Sequence, residues 1–483
     1  MRKRSRWLVT ASLLVAFALV VAACGDDDDA ETTTTQAATT TTEAATTTTA
    51  AETTTTAAET TTTAGETTTT AGGMEILFDK GVTMEPCPDS ANPENGCIYL
   101  GVISDLSDGP FAPVAIPLTQ AQQDFWAVQN AAGGIMGFDV AITPETTVDA
   151  HYNPQEHVAG FAQIEPKIAL LAQTLGTPQT QAALPGYIEN NVVAAPATWW
   201  SGWSFPENDG GLILEAGANY CVESMNAFDF VVQAREGAAF TYAIVAFPGD
   251  YGGDYAAGVK IAAEAHDLGD PIAEVVQIPI SAGGDVAEAV ATLAGAKPDV
   301  TFIATGPTEM AQILGGTFQA GHQTGMYVGI GPSWNTALLG QEALLPLLEA
   351  AFFHSAPWLG WATDSEGHAA LRAAADQFGR DPNIGYTAGW AFQYNIKALL
   401  EQAISNGDIT RAGLVAAIDQ VEVDYQGMLP PKRFSGEPND IIVRESVVSR
   451  VDRTQPDGLT PATRFFQGTT VADYTFDAPC FSG

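Results

Sequence analysis

Residues able to carry hydrolysis, metal binding or redox chemistry are sparse in this sequence, and their spacing decides among those chemistries. A serine hydrolase would show its nucleophile in a Gly-x-Ser-x-Gly turn, and a zinc peptidase a His-Glu-x-x-His helix. Neither string occurs. His151, Glu156 and His157 form a His/acid cluster on a loop and a helix start, where a solvated helix end accounts for them better than a metal site. No Cys-x-x-Cys or Cys/His grouping suggests a metal, so neither metal nor cofactor is expected. The chain is therefore expected not to be an enzyme, and an exported hydrolase is the weakest function considered.

The chemistry left to the five cysteines is anchoring and cross-linking. Arg2, Lys3, Arg4 and Arg6 precede an apolar or small-residue run at 7–23, shorter than the roughly 20 residues a membrane-spanning helix needs. A basic start, a short apolar core and small residues before a break make a secretory signal peptide at 1–23. The break, Val21-Ala22-Ala23-Cys24-Gly25, resembles the lipobox of bacterial lipoproteins. That resemblance implies that Cys24 is acylated and holds the protein to the cell membrane on its extracytoplasmic face. In an exported chain the other four cysteines, Cys87, Cys97, Cys221 and Cys480, read as two disulfides with three pairings open. Cys87 and Cys97 bracket a Pro/Asn/Gly-rich loop, which favours a local bridge and leaves Cys221 for Cys480.

Residues 24–73 carry four aspartates and then Thr, Ala and Glu, ending in seven-residue repeats with no large apolar side chain. Such a tract cannot bury enough surface to offset its ordering entropy and is expected to be a disordered stalk. The whole chain has 57 acidic and 19 basic residues, a formal charge of −38. That field repels nucleic acid, which is not an expected partner.

About 410 residues follow the stalk, more than one core usually supports, so two lobes are expected. Apolar runs at 98–103, 168–172, 192–195, 242–247, 273–280, 300–304 and 326–330 read as parallel strands covered on both faces. Helical patterns at 118–131, 180–189, 255–267, 286–293 and 309–320 lie between them. The fold class is α/β, a doubly wound arrangement in which ligands sit beyond the carboxyl ends of the strands. From Gly385 the pattern changes to helices at 386–405 and 411–420 and a late strand at 441–451.

The first strand and its turn, Ile98-Tyr-Leu-Gly-Val-Ile-Ser-Asp-Leu-Ser-Asp-Gly-Pro-Phe-Ala112, resemble the opening of the leucine/isoleucine/valine-type periplasmic binding proteins. Asn130-Ala-Ala-Gly-Gly-Ile-Met-Gly137 is the most specific further match, with Asp108 an extra residue in the turn before it. Phe247-Pro-Gly-Asp-Tyr251-Gly252 and Gly389-Trp390-Ala391 complete a resemblance that covers 97–451. It implies two Rossmann-like lobes joined by a three-crossing hinge, the type I periplasmic binding fold. The crossings are expected near 217–221, 353–357 and 434–441. Lobe one would then be 97–219 plus 355–434, and lobe two 220–354 plus 435–451. Residues 74–96 would be a Cys-loop extension and 452–483 a C-terminal one.

The resemblance implies a substrate-binding lipoprotein, a monomer, that captures an amino acid, amide or related small organic solute and delivers it to the permease subunits of an ABC transporter. A ligand sensor of the same fold without transport is the alternative. Strand-end geometry and the family together imply a ligand site of Gly109, Pro110, Phe111, Thr174, Leu175, Gly176, Thr177, Ala197, Thr198 and Trp199 from one lobe. The other lobe would add Tyr251, Gly306, Pro307, Ser333 and Trp334. In amino-acid-binding members a carboxylate after the last of these strands pairs with the ligand ammonium. Here Gly331-Pro332-Ser333-Trp334-Asn335 has no acid, and a desolvated ammonium without a countercharge costs several kcal/mol. An α-amino acid ligand would thus depend on Asp105 or Asp250. Of the tryptophans at 199, 200, 203, 334, 358 and 361, Trp199 and Trp334 are expected to wall the cleft.

Overall fold

The computed structural model describes residues 66–69, 75–90 and 92–482. The expected leader, Cys24 and the tract as far as residue 65 lie outside them. Two sheets organise the described chain, one in each lobe.

The first sheet is built on Gly96–Ser104, buried along almost its whole length. It pairs in parallel with Phe138–Ala141 and Thr147–Asp149 on one side and Leu170–Leu175 on the other, with Ala194–Ala197 beyond. Every residue of Leu170–Leu175 is buried, as expected for a strand covered on both faces. Val82–Thr83 adds an antiparallel edge, and the disulfide Cys87–Cys97 staples that edge to the central strand. Glu75–Phe78 inserts Ile76 and Phe78 into the core and bonds through Leu77 to Gly407 and Ile409. Residues 74–96 are thus integral to the first lobe rather than an extension from it. The end of the expected stalk also departs from disorder: Glu66–Thr69 pairs antiparallel with Glu75–Phe78.

The second sheet runs Ala273–Val276, Tyr242–Ala246, Val300–Ala304, Met326–Gly329 and Phe352–Ala356 in parallel, then Val447–Val451 and Leu459–Pro461 antiparallel. Two expected boundaries move. Phe352–Ala356 pairs along its length inside this sheet, so the second crossing follows it instead of falling within 353–357. Residues 452–483 are part of the second lobe: Leu459–Pro461 is its seventh strand, Thr469–Asp473 packs on Tyr220–Ala234, and Cys480 is bonded to Cys221. Both disulfides join the expected cysteines.

The motifs that carry the resemblance do structural work. Asn130 receives the Val140 amide and donates to the Val140 carbonyl, clamping the helix Ala112–Ala131 to the next strand through the turn at Gly134, where φ is +77°. Gly389 lets the helix Ile384–Asn406 touch the helix Ala112–Ala131; a Cβ there would lie 2.2 Å from the Leu118 carbonyl oxygen. Gly252 is fixed similarly, since a Cβ would meet the Phe247 carbonyl oxygen at 1.9 Å.

Candidate functional site

The loops that follow the strands meet between the lobes around a small cavity, about 40 Å³ in volume. Its first wall begins at Asp105, whose two carboxylate oxygens accept the Gly109 and Phe111 amides at 2.9 and 2.8 Å. That clamp aims the Phe111 ring inward, and glycine is required at 109 because a Cβ would sit 2.3 Å from the carboxylate oxygens. Helix Ala112–Ala131 then presents Val114, Ala115 and Leu118, and the helix in contact with it contributes Ala388.

Gly176 turns Leu170–Leu175 into the helix Thr177–Asn190 with φ of +91°. A Cβ at 176 would lie 2.7 Å from the Tyr152 ring, so this glycine makes room for a cavity-lining aromatic. His151 and Tyr152 both take left-handed backbone, φ +47° and +56°, a conformation costly for side chains larger than glycine. Gln179 holds the turn by donating to the Tyr152 carbonyl at 2.7 Å. The Tyr152 ring thereby meets Phe111 edge-on at 4.9 Å. The Thr177 and Thr198 hydroxyls are hydrogen-bonded to each other, Thr177 on the cavity and Thr198 behind it.

The far wall belongs to the second lobe and its crossings. Tyr251 donates to the Thr305 carbonyl at 3.1 Å and packs against Phe111 at 5.7 Å and Tyr220 at 5.0 Å. Burial pushes the Tyr251 and Tyr220 phenols far above their usual range, so both stay neutral. Trp199 donates to the Ala216 carbonyl and lies 5.4 Å from Trp358, another cavity-lining ring. Gly331 and Pro332 complete the lining. The lobes are closed on one another: besides Phe111 on Tyr251, Asn335 of the second lobe donates to the Pro113 carbonyl of the first at 2.6 Å.

Of the residues expected to line the site, the cavity brings together Phe111, Leu175, Gly176, Thr177, Ala197, Trp199 and Tyr251. The others do not border it. Gly109 and Pro110 form the turn behind Phe111, and Gly306 comes close to the Pro110 carbonyl at the lip, with Pro307 buried at the start of its helix. Thr174 turns its hydroxyl into the first lobe, toward His157, Thr180 and Tyr187. Ser333 bonds back to the Ile330 carbonyl. Trp334 is fully buried, stacked on Phe352 at 6.0 Å and donating to the Asp457 carbonyl, because the turn after Met326–Gly329 directs it into the second lobe's core. Tyr152, Tyr220, Trp358, Val114, Ala115, Leu118, Gly331, Pro332 and Ala388 are the lining residues that strand-end reasoning missed.

Among the described residues, no Asp, Glu, Lys, Arg or His side chain borders the cavity. Asp105 is spent on the backbone amides it clamps, and Asp250 begins the helix Asp250–Ala265 without reaching the lining. The His/acid cluster separates in space. His151 pairs with Glu156 at the surface, while His157 is buried against Thr174 and Tyr187 and driven by that burial to a pKa of about 3. Among the described residues no cluster of three or more His, Cys, Asp or Glu could hold a metal ion, and no helix is long and apolar enough to cross a membrane.

Comparison with known proteins places the chain in context. Residues 98–456 match the family model described as periplasmic binding protein. A fatty acid ABC transporter substrate-binding protein from Thermomonospora curvata is similar at 25% identity and a TM-score of 0.73, over 84% of this chain and 98% of that one. A branched chain amino acid ABC transporter structure from Thermus thermophilus with bound valine shares the fold at 16% identity and TM-score 0.66, over 78% and 98%. A solute binding protein from Rhodopseudomonas palustris BisB5 in complex with 3,4-dihydroxy benzoic acid does so at 16% identity and TM-score 0.60, over 77% and 98%. No curated protein matches the chain.

Proposed function

The chain belongs to the periplasmic binding protein family, and from that premise we propose that it is an extracytoplasmic solute-binding lipoprotein that captures a small, largely apolar organic solute between its lobes and delivers it to an ABC transporter. One observation carries this reading: a cavity between the two lobes, walled by Phe111, Tyr152, Trp199, Tyr220, Tyr251 and Trp358 and bordered by no charged side chain. Aromatic walls suit an apolar or aromatic body. An α-amino acid would bring an ammonium into this space without a countercharge, at a cost of several kcal/mol. Similar proteins are described as a fatty acid transporter's binding protein, a branched chain amino acid transporter with bound valine and a binding protein with an aromatic acid.

The test is a thermal-shift screen of the purified protein against fatty acids, aromatic acids, amides, polyamines and amino acids. A ligand present at a thousand times its dissociation constant adds about 4 kcal/mol of stability. Apolar organic solutes should raise the melting temperature and polar amino acids should not; a screen answered by polar amino acids alone would reverse the ligand reading. Anchoring through Cys24 is tested separately. Cys24→Ser should abolish lipid labelling and release the protein to the medium, and unchanged membrane retention would defeat the anchor.

A further inference from the structure

Resting on that solute-binding reading, we propose that Trp358 recognises the ligand through its indole N–H, and that the ligand class is an apolar organic molecule whose head is a carbonyl oxygen, as a carboxylate or carboxamide, with no ammonium. Trp358 lines the cavity and is 96% withdrawn from solvent, yet its Nε1 has no hydrogen-bond partner in the protein. A buried indole N–H ordinarily finds an acceptor, because leaving it unpaired forfeits a hydrogen bond to water. The neighbouring Trp199 meets that rule by donating to the Ala216 carbonyl at 2.7 Å. Trp203 and Trp390 also lack partners, but neither borders the cavity. Trp358 borders the cavity with its ring, and no protein acceptor meets its N–H. A Cβ on Gly331, itself part of the lining, would lie 3.3 Å from Trp358 Cη2 and 3.8 Å from Cζ2, the ring edge next to Nε1.

The other polar groups on the lining favour the same head. Thr177 shares a hydrogen bond with Thr198, which also bonds the Tyr220 hydroxyl, so a chain of three hydroxyls runs along this side of the cavity. Tyr251 has already committed its proton to the Thr305 carbonyl. No carboxylate borders the cavity to accept from an ammonium. Glu223, buried near Gly331, forms no well-aligned hydrogen bond through either carboxylate oxygen, although the Gly331 amide is close enough to favour its anion. Burial holds it protonated, far above the usual carboxylate range, so it supplies no countercharge. Donors without a compensating anion select an acceptor head.

The experiment compares 3-phenylpropanoate, 3-phenylpropanamide and 3-phenylpropylamine, which share one apolar body, by calorimetry on the wild-type protein and on Trp358→Phe. The acid and the amide should bind, and the amine should bind at least tenfold more weakly. Trp358→Phe removes the donor together with part of the ring, so it should lower affinity for the acid and amide at least tenfold and affinity for the amine by less. Unchanged affinity in Trp358→Phe overturns the role of the indole, as does an equal loss of affinity for the acid, the amide and the amine. An amine that binds as well as the acid to wild-type protein overturns the head-group class even if the variant fails to fold, and leaves the solute-binding reading standing. If none of the three binds, this inference falls, while the solute-binding reading is decided by the broad screen.

Discussion

Trp334→Ala should destabilise the protein by about 3–5 kcal/mol, the usual cost of emptying a buried tryptophan site, and leave ligand affinity of the folded fraction within a few-fold of wild type. Trp334 has no exposed surface, stacks on Phe352 in the middle of the second sheet, and donates to the Asp457 carbonyl at 3.1 Å. The turn at Gly458 closes over it so tightly that a Cβ there would meet the indole Cζ2 at 2.9 Å. Removing the ring leaves a void that this turn and the sheet cannot both collapse into, and it strands the Asp457 carbonyl. Trp334→Phe should cost less, since stacking on Phe352 survives. Chemical denaturation of both variants, with calorimetric titration of any ligand found, separates the outcomes. A Trp334→Ala protein that unfolds at the wild-type denaturant concentration but binds poorly would return this residue to the ligand site.

The same residue shows why the site was only partly legible in the sequence. Placing ligand contacts just after each strand works at Leu175-Gly176-Thr177, where the strand passes straight into a helix, and at Phe111, which the Asp105 clamp turns inward; both line the cavity. It fails after Met326–Gly329, where a short helical turn, Gly331–Ser333, leaves Gly331 and Pro332 at the lining and rotates Trp334 away from it. Tyr152 could not have been inferred, because its position depends on two successive left-handed residues that no local propensity encodes. Tyr220 and Trp358 sit where the chain passes between lobes, so their neighbours are set by tertiary closure and not by sequence spacing. The fold was read more completely because parallel strands buried on both faces are continuous apolar runs, as at Val300–Ala304. Among the strands passed over, Phe138–Ala141, Thr147–Asp149 and Phe352–Ala356 are short or carry Asp, His or Ser, which breaks that signature. Asp139 and His354 are buried there because partners meet them: Ser90, Asn92 and Asn95 donate to Asp139, and His354 Nε2 pairs with the Gly331 carbonyl.

Lys432→Met is the second large effect, and it bears on the hinge. Lys432 Nζ lies 3.1 Å from Glu215 Oε2, and both side chains are 3% exposed. Glu215 precedes the first crossing and Lys432 the third, so the pair ties two of the connecting segments together within the protein interior. Burial, opposed by the Lys432 charge, leaves the Glu215 pKa at about 7. Removing the lysine leaves a buried carboxyl with no partner, which typically costs 3–5 kcal/mol. Without the ammonium the Glu215 pKa must rise further. An acid whose folded pKa exceeds its unfolded value destabilises the fold as pH climbs from the unfolded value toward the folded one. Wild-type protein stops losing stability from this group near pH 7, whereas the variant goes on losing it. Its deficit should therefore widen between pH 7 and 9, by at most about 1.4 kcal/mol per pH unit. Replacing both partners, as in Glu215→Met with Lys432→Met, removes the unpaired charge and should recover most of the loss, since well-packed apolar residues often match a buried ion pair. Denaturant unfolding of the single and double variants at pH 7 and pH 9 measures all of these differences. A single variant as stable as wild type at pH 9 would mean that the pair contributes nothing to the hinge, and a double variant no better than the single would mean that the lysine stem and not its charge holds this region together.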